Sequence, residues 1–150
     1  MRLACLLGIV AAAVLTTNAG ATTVGSGYFK TPSGKIFCGW VTGGTPSATV
    51  FCGELQTLHP PIPKSVDPAA CRSLDYVGNR ISLSVTGHAQ LIPCSGDAGP
   101  FGDPSAAVYL RYGKPWSAPG LKCTAARNGL TCKNRSRHGL HINLHSWKTF

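Results

Sequence analysis

The chain has 150 residues, with 14 Lys or Arg against five Asp or Glu, for a formal net charge of +9. That length holds one domain with a modest core. Five scattered acids leave little material for a glycosidase, which needs two carboxylates across one cleft.

Arg2, the apolar run LACLLGIVAAAVL (3 to 15) and Ala19-Gly20-Ala21 read together as a signal peptide over residues 1–21, cleaved after Ala19 or Ala21. The apolar run is too short for a membrane span. On this reading residues 22–150 form a single secreted domain, a monomer with no transmembrane segment. Loss of Cys5 leaves six cysteines, Cys38, Cys52, Cys71, Cys94, Cys123 and Cys132. An even count in a short exported chain reads as three disulfides. No thiol then remains as a nucleophile, and no C-x-x-C pair suggests zinc.

In chain order, KIFCGWV (35 to 41) and ATVFCG (48 to 53) flank a Gly-rich turn and read as a hairpin. Cys38 then stands opposite Cys52 and Trp40 opposite Val50. HPPIPKSVDP (59 to 68) holds four prolines and reads as an extended surface segment. RISLSV (80 to 85) alternates Ile81, Leu83 and Val85 against Ser82 and Ser84, a half-buried strand. AQLIPC follows across Gly87-His88, and AAVYLRYG (106 to 113) is a further strand. LKCTAARNGLTCK (121 to 133) is a second hairpin. Cys123 opposite Cys132 requires a four-residue loop, Ala126 to Gly129, with Gly129 free to take positive φ. Cys71 is left to pair with Cys94. GLHINLH (139 to 145) alternates as a last strand, its Leu140, Ile142 and Leu144 inward. Roughly eight short strands predict an all-β fold, a small antiparallel sandwich or barrel of hairpins stapled by three disulfides.

The acids are Glu54, Asp67, Asp75, Asp97 and Asp103; eight cations follow the last of them. This one-sided block predicts a basic surface that meets anions. Its candidate residues are Arg111, Tyr112, Lys114, Trp116, Lys133, Arg135, Arg137 and His138, because Arg, Tyr and Trp favour binding hot spots. The partner expected is an anionic cell-envelope polymer or an acidic protein, and the secretory route argues against nucleic acid. His141 and His145 on one strand stand roughly 13 Å apart, too far to share an ion, so no metal or cofactor is expected. Asn134-Arg135-Ser136 fits a glycosylation sequon and marks an exposed loop. The rival reading is a small secreted hydrolase using His138 with a carboxylate such as Asp97, although no G-x-S-x-G elbow is present. A third is an inhibitor-like role for the HPPIPK loop.

Several stretches carry a resemblance. Phe29-Lys30-Thr31-Pro32-Ser33-Gly34-Lys35-Ile36 before Cys38 resembles an F-x-S-P-S-G-N-I-x-C opening. Cys94-Ser95-Gly96-Asp97 after RISLSV resembles C-x-G-D-T. Leu110-Arg111-Tyr112-Gly113, then Cys123 and Gly129 to Asn134, resembles L-x-Y-G with a G-x-T-C-x-N close, and His138-Gly139-Leu140 precedes the last strand as in that pattern. These motifs belong to a family of small exported actinobacterial six-cysteine proteins, some mycobacterial members of which look like lipoproteins. The likeness covers residues 28 to 150. It implies a shared fold and no activity. Lys35 stands where asparagine is usual, Ala98 for threonine, Arg137 for glycine and Leu140 for phenylalanine; two of the four add positive charge.

Overall fold

The computed structural model describes residues 25–44, 48–54, 58–74, 80–95 and 104–150. The expected signal peptide and Asp75, Asp97 and Asp103 lie outside these residues.

Short apolar runs broken by glycine and proline build two sheets. The first comprises β1 (Gly25–Lys30), β2 (Ile36–Thr42), β3 (Ala48–Glu54), β4 (Arg80–Ser84), β5 (Gln90–Ile92) and β6 (Val108–Tyr109). Their order is β5-β4-β3-β2-β1-β6, antiparallel throughout except that β6 joins β1 in parallel. The second is an antiparallel meander of β7 (Pro115–Ala118), β8 (Leu121–Ala126), β9 (Gly129–Asn134), β10 (Gly139–Ile142) and β11 (Trp147–Thr149). One core of alternate residues lies between them: Ile36, Cys38, Val50, Cys52, Ile81 and Leu83 from the first sheet, and Leu121, Cys123, Leu130, Cys132, Leu140 and Ile142 from the second. The fold is therefore a sandwich.

All three expected disulfides form, Cys38–Cys52, Cys71–Cys94 and Cys123–Cys132. Cys38 faces Cys52 and Trp40 faces Val50 in register. In the second hairpin Ala125 faces Leu130, and Ala126 pairs with Gly129 across the two residues Arg127 and Asn128. Gly129 takes φ 129°.

The differences have local causes. Three strands were not legible. In β1 the glycines look like turn residues, yet Gly27 is required because the Trp40 indole lies over it; a Cβ there would meet the ring at 2.9 Å. β7 opens on Pro115, tolerable at the first residue of an edge strand. β11 is three residues long. The alternation of RISLSV does not mark a wet face: Arg80 and Ser82 are 1% and 8% exposed, so β4 is covered on both sides. The proline-rich segment is not merely a surface spacer, because Ile62 enters the core and the Trp147 indole Nε1 donates to the Pro60 carbonyl at 2.7 Å. The strand expected over 139–145 stops at Ile142 as β10, and Leu144 is an exposed turn residue.

One side chain ties the sheets together. Asn134, at the end of β9, is 8% exposed. Its Nδ2 donates to the Ser84 and Gly87 carbonyls of the β4–β5 turn, at 3.0 and 2.7 Å. Its Oδ1 accepts from the His138 amide at 3.0 Å. The sequon asparagine is thus structural rather than exposed. Asn134→Ala would leave three main-chain groups without this partner. It should lower stability by about 2–3 kcal/mol, read as a fall in the urea midpoint at unchanged m-value.

Candidate functional site

Antiparallel strands that return on themselves gather alternate turns at one end. At this end the β1–β2 turn (31–35), the β6–β7 loop (110–114), the β8–β9 turn and the β10–β11 turn (143–146) surround a cleft of about 360 Å³. Its floor includes Ile36, which is 3% exposed, and Leu144. Tyr112, Arg127, Asn128, Asn143, His145 and Ser146 line it as well, together with Thr31 and Ser33. No Asp or Glu is among the described lining residues.

Each turn is held by its own chemistry. The Thr31 hydroxyl, at the base of the β1–β2 turn, lies 3.0 Å from the Ser33 hydroxyl and accepts from the Ile36 amide at 3.3 Å. Asn143 Oδ1 accepts from the His145 and Ser146 amides, both at 2.8 Å. Asn143 therefore offers a ligand only its Nδ2 donors. The Gly113 amide donates to the Ala125 carbonyl at 2.9 Å, which anchors the loop that carries Tyr112. What results is a cleft of mixed lining whose side chains carry several N–H and O–H donors, an arrangement suited to a ligand that brings acceptors.

The expected basic surface divides in two. Arg111, Tyr112 and Lys114 lie exposed at the cleft end, and Tyr112 lines the cleft itself. Lys133 lies near the far end of β9, and Arg135, Arg137 and His138 lie past its six residues. That separation is roughly 20 Å at 3.3 Å per residue. Trp116 belongs to neither group. Its ring packs on Phe29 and Trp40, with centroids 5.0 and 5.8 Å away, so it closes the core edge. His138 stacks on His88 of the β4–β5 turn, ring centroids 3.6 Å apart, and Lys133 Nζ lies 5.8 Å from the Phe150 ring centroid. His141 Nδ1 is 2.9 Å from the Thr131 hydroxyl, while His145 lies on the cleft turn.

Arg127, Asn128 and Asn143 were not singled out from sequence. Their signal was present as turn chemistry, an Asn-Gly step and an Asn three residues before Ser146, but turns identify a site only once the topology brings them together.

The model of the Family of unknown function (DUF6636) matches residues 5–148. The chain belongs to this family. No curated protein and no solved structure matches it. In the DUF6636 domain the site must therefore be read from its own chemistry.

The cleft depends on close approach of two turns at Gly129. A Cβ there would stand 2.3 Å from the Ile142 carbonyl oxygen, and φ is already 129°. At Gly113 φ is 73° but a Cβ would meet nothing within 4 Å. Gly129→Ala should therefore lower the melting temperature clearly more than Gly113→Ala, which carries only the backbone penalty of about 1–2 kcal/mol.

Proposed function

We propose that this DUF6636 domain is an exported binding module that takes an anionic glycan of the cell envelope in the cleft. The observation that carries the reading is the donor-rich, carboxylate-free lining around Tyr112 and Arg127. An aromatic side chain suits the apolar face of a sugar ring, and a guanidinium suits a uronate or phosphate oxygen pair. Arg111 and Lys114 stand exposed beside this lining and add to the attraction of a polyanion. Three disulfides accord with an oxidising compartment, and no helix among the described residues is long and apolar enough to cross a membrane. The hydrolase alternative gains no support: Asp97 lies outside the described residues, and the ring partner of His138 is another histidine.

An alginate tetramer, a short linear polyuronate, is a suitable probe, with maltotetraose as its neutral counterpart. Titration calorimetry should show salt-sensitive binding of the first and none of the second. Arg127→Glu should weaken the cleft interaction roughly 10- to 100-fold, because a hydrogen bond to a charged group is worth about 1.5–3 kcal/mol. Equal affinity in the variant, or equal binding of the neutral sugar, would remove the proposal.

A further inference from the structure

Two turns from different sheets meet at the far end of the sandwich. The β4–β5 turn brings His88, and the β9–β10 turn brings Arg135, Arg137 and His138. Asn134 locks the two together through Ser84, Gly87 and His138, and the Arg135 amide adds a bond to the Val85 carbonyl at 3.2 Å. Lys122 and Lys133 extend the cationic surface along β8 and β9.

Several features of this end are unfavourable in the isolated domain. Lys122 stands directly opposite Lys133 in the strand register, a like-charge pair that destabilises a sheet. Arg137 has φ 68°, the one non-glycine residue in the left-handed region among those described. Arg135 and Arg137 are exposed within one turn, and no Asp or Glu occurs anywhere after residue 103. The β4–β5 strands and their turn (80–92) contain no acid either. No Asp or Glu among the described residues is paired with these cations, and a cationic turn held by a rigid buried amide is complementary to a bound anion. The His88 and His138 rings, tilted 35° to one another, each retain at least one N–H donor in any tautomer.

We propose that this end is a second anion site, and that the domain bridges two stretches of one anionic polymer, one at each end. The far site takes the same chemistry as the cleft, carboxylate or phosphate groups on an extended chain. The two sites are roughly 20 Å apart, about two Debye lengths at 0.1 M salt, so occupation of one leaves the other attractive. A single stretch of polymer bound at the cleft therefore does not neutralise the far end. The bridging role rests on the cleft reading; the far site itself does not.

The test uses the signal-free chain with alginate, as a tetramer and as long polymer. The wild type should bind two tetramers and should cross-link long alginate into particles seen by light scattering. Arg135→Glu with Arg137→Glu should bind one tetramer and lose scattering at least tenfold, and Arg135→Gln with Arg137→Gln should behave alike. Arg72→Glu with Lys148→Glu changes net charge by the same amount on exposed residues of neither site, and should cross-link as the wild type does. Circular dichroism of each variant confirms folding. Two tetramers still bound after the Arg135/Arg137 change would overturn the far site. Arg127→Glu should also bind one tetramer and cease to cross-link; two tetramers retained there would overturn the cleft and with it the bridge, while one tetramer lost on the Arg135/Arg137 change would still establish the far site.

Discussion

The two sheets meet through apolar packing, which is strong but does not specify an orientation. The Asn134 side chain supplies direction. Its amide joins a β9 residue to two carbonyls of the β4–β5 turn, and its oxygen receives the His138 amide within its own turn. A buried amide is stabilising only when its partners are in place, since an unmatched one loses its hydration without return. Any slip of one sheet over the other would break both bonds to the β4–β5 segment at once. The contact of His88 with His138 lies where these bonds hold the two turns together.

Much of the sandwich was legible because its core obeys period-two alternation. The hairpins of β2 with β3 and of β8 with β9 could be paired from their cysteines, since a disulfide across a strand pair admits few registers. The errors arise where a residue's surroundings, rather than its type, decide its place. Ser82 looks outward by polarity and is buried, because β4 is covered on both faces around it. Gly25 and Gly27 fall in no element expected from sequence and form a strand, because Trp40 occupies the space that side chains would need. Leu144 looks inward by alternation, but Asn143 draws the next three residues into a turn with its carbonyl oxygen. Each is a case of tertiary context overriding local pattern.

The candidate site was less legible than the fold for a related reason. A run of cations late in the sequence suggests one surface, yet a meander sends successive turns to opposite ends. Lys133, Arg135 and Arg137 are close in sequence to Arg127 and distant from it in space, whereas Tyr112 and Arg127 are distant in sequence and share a cleft. Charge is read from composition; its partition requires the direction of every strand.

The conformation of Arg137 bears on how that partition is maintained. At φ 68° a glycine would be free of the penalty of about 1–2 kcal/mol that a side chain incurs. Glycine is also the residue that the resembled sequence pattern has at this position. Replacing it with arginine adds a cation to the turn at the expense of backbone energy, and the neighbouring Asn134 supplies the hydrogen bonds that hold the turn closed, with the Arg137 amide itself donating to the Asn134 carbonyl at 3.1 Å. The strain and the clamp therefore act on the same five residues. A surface selected only for solubility has no need of either, because lysines on the exposed faces of β8 and β11 would raise the net charge equally well without a strained backbone.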